Sequence, residues 1–155
     1  MKAKNVQSVI YSIIIFLFAS GAWAADWVLC NTPNEGKVYY DKSSIKKVSK
    51  NNIRVWTKTI LNKDGKNRYF LFLQRINQAP DKPDIMNYEL MLNEIDCANE
   101  RGRFSSMTIN YDEKAVVYWG SKSFSQWMKI DPRSTMGILK NKVCGAGKTS
   151  GTKKK

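Results

Sequence analysis

Apolar and polar residues alternate along most of this chain with the period of a half-buried strand. The clearest run is Ile53 to Leu61. Ile53, Val55, Thr57, Thr59 and Leu61 share one side, and Arg54, Trp56, Lys58 and Ile60 the other. Shorter runs precede it. Trp27-Val28-Leu29 predicts a first strand, and Lys37-Val38-Tyr39-Tyr40-Asp41, β-branched and aromatic, a second. The turn formers Asn31-Thr32-Pro33-Asn34-Glu35-Gly36 lie between them and make the pair a hairpin. Ser43-Ser44 and Asn51-Asn52 mark further turns. Asn62-Lys63-Asp64-Gly65 predicts a turn that ends the long strand.

The period changes after that turn. Tyr69, Phe72, Leu73 and Ile76 recur at helical spacing, which predicts a short helix over Asn67–Gln78, although Phe70 and Leu71 also suit a strand. Ala79 to Pro83 reads as a loop. Tyr88 to Ile95 is a strand in which Tyr88, Leu90 and Leu92 alternate with Glu89, Met91 and Asn93. Arg101 to Tyr111 is another, with Phe104, Ser106, Thr108 and Asn110 set against Arg103, Ser105, Met107, Ile109 and Tyr111. Asp112-Glu113-Lys114 turns the chain into a strand at Ala115–Trp119, and Gly120 to Ser125 is a loop. Asp131-Pro132 has the chemistry of a helix start, an Asp cap followed by Pro. Met136, Leu139, Lys140 and Val143 form the inner stripe, with Ile138 beside it, and Gly145 stops the helix. About six strands and a terminal helix predict an α+β domain: an antiparallel sheet with a helix packed on one face.

Both ends depart from this pattern. Lys2 and Lys4 precede an apolar run from Val9 to Phe18, and Ala22-Trp23-Ala24 fits the small-x-small cleavage rule. The run is too short for a permanent span, which needs about 20 apolar residues. The expectation is a signal peptide over 1–24, cleaved after Ala24. A single domain over 25–144 and a disordered basic tail over 145–155 then follow. The mature chain would have no transmembrane helix, in the periplasm or at the cell surface. Trp27-Val28-Leu29 before Cys30 does not fit a lipid-attachment site.

Charge narrows the partners. The chain carries +13, and losing Lys2 and Lys4 leaves +11. Such a balance favours an acidic protein or an anionic polymer, and leaves peripheral membrane contact open. The first residues to suspect are the tail lysines Lys148, Lys153, Lys154 and Lys155, with Arg54 beside Trp56, and Arg101 and Arg103 on one strand. Arginines beside aromatics stack on rings, while most of the tryptophans and tyrosines are expected as packing. Gly147-Lys148-Thr149 lacks the first glycine of a phosphate loop and has no helix after it, so no nucleotide site is expected. No specific nucleic acid is expected as a partner either.

The chain contains no histidine, so no Ser-His-Asp or Cys-His site exists within it. Glu94, Asp96, Glu100, Asp112 and Glu113 show no spacing that selects a catalytic pair. The expectation is a non-enzyme with no catalytic residue, cofactor or metal. An exported chain oxidises its thiols. Of Cys30, Cys97 and Cys144, the last two lie far apart in sequence and are the choice for a bridge, leaving Cys30 odd.

In order, Trp27, Val38-Tyr39-Tyr40-Asp41-Lys42-Ser43-Ser44-Ile45, Ile53-Arg54-Val55-Trp56, Glu94-Ile95-Asp96-Cys97, the Arg103 strand, Trp127, Ile130-Asp131-Pro132-Arg133-Ser134 and Cys144 resemble the surface-adhesin protein E family of Gram-negative bacteria. The resemblance spans about 27–144. It implies an antiparallel sheet with a C-terminal helix and a Cys97–Cys144 bridge, and suggests adhesion to extracellular-matrix-type partners. It assigns no ligand-binding residue. Asn62–Asn87 looks like an insertion relative to the family. The functional expectation is an exported, non-enzymatic, adhesin-like binding domain. The alternative is a structural or assembly subunit of a bacterial envelope complex.

Overall fold

The computed structural model describes residues 24–111, 115–119 and 126–145. Residues 1–23, within the signal peptide expected over 1–24, and the expected 112–114 turn, 120–125 loop and tail from Ala146 lie outside the described residues. The strands are β1 (Trp27–Asn31), β2 (Gly36–Asp41), β3 (Lys46–Lys47), β4 (Asn52–Leu61), β5 (Met86–Asp96), β6 (Arg101–Tyr111), β7 (Ala115–Trp119) and β8 (Met128–Lys129). Two α-helices interrupt them, α1 (Lys63–Arg75) and α2 (Thr135–Cys144). All strands join one antiparallel sheet in the order β1-β2-β4-β5-β6-β7. The two-residue strands β3 and β8 attach to β4 and β6.

The β1–β2 hairpin closes at Gly36, whose N–H donates to Pro33 O at 3.2 Å. Gly36 has φ +149°, and a Cβ there would lie 2.0 Å from Ile60 O on β4, so only glycine fits. Asp41 ends β2 and is buried. Its Oδ1 accepts from Asp26 N at 2.9 Å and from Ser43 Oγ at 2.6 Å, tying the start of β1 to the turn after β2.

The helix expected over 67–78 is present but begins earlier. Asn62 does not open a turn. Its side chain accepts from Gly65 N at 2.9 Å and caps α1, so Lys63-Asp64-Gly65 form the first helical turn. Asn77 then takes φ 54°, and Gln78 N donates back to Leu73 O at 2.9 Å, a left-handed stop.

At the other end, the helix expected from Asp131-Pro132 starts one turn later. Asp131 builds the preceding turn, accepting Arg133 N on Oδ1 at 2.9 Å and Ser134 Oγ on its carbonyl at 2.6 Å. Ser134 is the cap and accepts from Gly137 N at 3.1 Å.

Strict alternation also fails within β6. Asn93 pairs with Phe104 and Leu92 with Ser106, so Ser105 is an extra residue in the ladder. The bulge moves Phe104 to the side of Met107 and Ile109, against the alternation expected for this strand.

Both helices pack on the same face of the sheet. Leu139 and Val143 of α2 meet Cys30, Val38, Val55 and Ile95. Leu73 of α1 meets Leu61, Met86, Met107 and Ile109. The row of β5 that turns toward the helices is Glu89, Met91, Asn93 and Ile95, while Tyr88, Leu90 and Leu92 turn outward. A gap between the helices lies over the polar part of that row. Cys97, just past β5, is joined to Cys144 at the end of α2 across a Cα–Cα distance of 5.8 Å. Cys30 is a buried free thiol. Burial pushes its pKa up, against a smaller downward pull from Lys142.

Candidate functional site

Register places Arg54, Glu94 and Arg103 side by side across β4, β5 and β6 on the face away from the helices. Glu94 is the buried centre of this row. Its Oε1 accepts from Arg54 Nε at 2.9 Å and its Oε2 from Arg103 Nε at 2.6 Å. Burial acts to raise the Glu94 pKa, but the hydrogen bonds and charges of the two arginines outweigh it and hold the carboxyl low. Trp127 closes the row, its ring centroid 4.6 Å from the Arg103 guanidinium carbon and 5.7 Å from that of Arg101. Arg101 also donates to Asp96 Oδ2 at 3.0 Å.

The arginines suspected from sequence are thus held together with acids of the same domain. Their positive charge is largely offset before any partner arrives. The stacking expected of Arg101 and Arg103 occurs within the chain, on Trp127. Lys148, Lys153, Lys154 and Lys155 lie outside the described residues.

Two acids in this region make stability acid-sensitive. The Asn99 amide hydrogen bond, then Arg101, holds the Asp96 pKa at about 2, and Glu94 is lowered as described. A carboxyl with a depressed native pKa stabilises the fold above its unfolded value, about 4, and loses that contribution as pH falls through the native value. The urea midpoint should therefore drop as pH goes from about 4 toward 2. Asp96→Asn should make that drop shallower; an unchanged profile would show that Asp96 is not linked to folding.

Sequence inspection passed over a second basic feature. Lys42, Lys46, Lys47 and Lys50 are all exposed, on the turn before β3, on β3 itself and on the bend after it. No Asp or Glu occurs from Lys42 to Ile53. Lys46 pairs with Arg54 and Lys47 with Ile53, which sets this edge beside the first half of β4. The signal was visible as four lysines in nine residues without an acid, but the strand was too short to be recognised. On the same outer face as the arginine row, Lys58 Nζ lies 4.7 Å from the Trp27 ring and 5.6 Å from the Tyr88 ring. Leu29 and Ile60 are 48% and 41% exposed.

Among the described residues, no His, Cys, Asp or Glu side chains gather in threes to hold a metal ion. No helix there is long and apolar enough to cross a membrane.

One antiparallel sheet, two helices on one face and a bridge from β5 to the last helix define an α+β sheet domain. The chain belongs to the surface-adhesin protein E family, whose model matches residues 27–145. Its fold is similar to that of Haemophilus influenzae protein E. Crystal form II of that protein matches with a TM-score of 0.53 and 12% identity over 79% of this chain and 90% of the other. A second structure of it matches with a TM-score of 0.52 and 12% identity over 83% and 91%. No curated protein shows significant sequence similarity to the chain.

Proposed function

We propose that this chain acts after export as a non-enzymatic, adhesin-like binding domain, meeting an acidic protein or anionic polymer at the lysine edge around β3. The observation that carries this reading is the set of exposed lysines Lys42, Lys46, Lys47 and Lys50 in a stretch without acids, on a domain of an adhesin family. Arg54, Arg101 and Arg103 on the outer sheet face are instead bound to Glu94 and Asp96. Exposed lysines attract polyanions at long range and lose that attraction as salt rises. Export by cleavage after Ala24 rests on the Ala22-Trp23-Ala24 pattern. The basic tail would add to the same attraction.

Lysines on an edge strand also guard it against pairing with other sheets, so binding has to be measured directly. The mature chain should bind immobilised heparin, used as a model polyanion, and elute earlier as salt rises. Lys46→Glu with Lys47→Glu should weaken binding by about thirtyfold, since two charge reversals each remove roughly 1 kcal/mol of attraction. Salt-independent binding, or full binding by the double variant, would refute the electrostatic edge.

Exposed Leu29 and Ile60 favour a second reading, a structural or assembly subunit of an envelope complex. That role predicts co-purification with a membrane-associated complex at high salt, where a lysine-driven contact would be lost.

A further inference from the structure

The gap between α1 and α2 is a cavity of about 560 Å³ whose floor is the sheet. Its walls are largely apolar: Phe72 from α1, and Met136 and Leu139 from α2. A volume of this size holds a small organic molecule. Its floor is mixed, with Met91 and Met107 beside Thr59 and Glu89. Glu89 sits there with only 3% of its surface exposed. Its Oε2 accepts from Tyr69 Oη at 2.5 Å, and its Oε1 has no hydrogen-bond partner.

A buried carboxyl group with only the Tyr69 and Thr59 hydroxyls beside it has no cationic partner, whereas buried charges are normally paired. Burial raises the Glu89 pKa, and Tyr69 and Thr59 offset this only in part while Glu35 adds to it. Arg68, at the rim, is already paired with Glu35 and does not supply the missing cation. Thr59 faces Glu89 across the β4–β5 pair and lines the same cavity. An acceptor-rich floor under apolar walls is the complement of an amphipathic cation. The chain's overall positive charge opposes such a ligand at long range, where salt screens it. Inside the cleft the nearest uncompensated group is acidic.

We propose that the cleft between the helices binds a small amphipathic amine, its ammonium pairing with the Glu89 carboxyl group and its apolar body lying against Met91, Phe72, Met136 and Leu139. Tyr69 holds the carboxyl group in place through Oε2. The ligand class is an aliphatic or aryl-alkyl primary amine. Binding here does not depend on the adhesin-like reading, and the lysine edge takes no part in it.

Three probes of equal length separate head from body: n-hexylamine, n-hexanol and hexanoate, titrated calorimetrically into the mature chain at neutral pH. Hexylamine should bind at least about tenfold more tightly than hexanol, as expected for a hydrogen bond between charged partners, and hexanoate should bind least. Glu89→Gln should bring hexylamine down to the hexanol level while leaving hexanol unchanged. Met136→Trp, which fills the cleft, should weaken both. Methyl NMR of the unmodified protein should show Met91 and Met136 shifting with hexylamine. That measurement holds even where a variant fails to fold. No hexylamine binding, equal binding of hexylamine and hexanol, an unchanged affinity in Glu89→Gln, or shifts confined to other methyls would each overturn the assignment. Heparin binding by Glu89→Gln should stay intact, so failure of one site is distinguishable from failure of the other.

Discussion

Replacing Cys97 and Cys144 together by serine should lower the free energy of unfolding by about 4 kcal/mol. The bridge spans a sequence separation of 47, and the chain-entropy cost that it removes from the unfolded state grows with the logarithm of that span. A domain of this size is stable by only roughly 5–15 kcal/mol, so the change is a large fraction of the total. The variant should still fold, because α2 is also held by Leu139 and Val143 against Val55 and Ile95. Urea unfolding of residues 25–155 with and without reductant measures the difference. Thiol labelling checks the pairing: one thiol per chain, Cys30, should react, and only on unfolding, because it is buried. Three thiols reactive before reduction, or a loss below about 1 kcal/mol, would contradict a stabilising bridge.

The sheet was legible because its strands advertise themselves locally. Ile53 to Leu61 alternates without a break, and β4 follows it. Arg101–Tyr111 and Ala115–Trp119 have the bounds that their sequence predicts. The misreadings cluster where one residue type serves two structures. Asn and Asp form turns and cap helices with the same side-chain acceptor. Asn62 therefore has the sequence signature of a turn yet caps α1, and Asp131 that of a cap yet builds a turn. The Ser105 bulge leaves no mark in composition, so Phe104 was placed on the wrong face.

The candidate sites were less legible for a different reason. A sequence shows that a charge exists but not whether another charge meets it. Arg54 and Arg103 looked available, yet register brings Glu94 between them. Tyr88, Leu90 and Leu92 make the more apolar row of β5, the row that alternation alone would bury. The strand faces the other way, and Glu89 is buried under the helices instead. That inversion makes a polar floor, which an apolar row would have filled. The wall that turns the floor into a cleft is α1, formed by the 62–87 segment that looked like an insertion in the family pattern.

Truncating Leu73 to Ala should therefore have the second largest effect, a loss of about 3 kcal/mol. Leu73 is fully buried, and with Gly65 it makes up the buried part of α1. It anchors the helix to Leu61, Met86, Met107 and Ile109. Its loss removes roughly three methyl-sized groups of buried apolar surface and leaves a cavity that the rigid sheet cannot close. Unlike α2, α1 has no covalent tie to the sheet. Its hydrogen-bonded amides should therefore lose exchange protection first, while those of α2 and the β4–β5 ladder stay protected near the new global limit. A native-state exchange experiment on Leu73→Ala reads both effects at once. Uniform loss of protection would mean that α1 unfolds only with the whole domain. A loss below about 1 kcal/mol would mean that Leu73 does not anchor it. Because Phe72 stands next to Leu73 on the same helix and lines the cleft, a loosened α1 should also weaken hexylamine binding without altering heparin binding. One substitution then tests whether this helix is the wall of a site as well as a cover for the core.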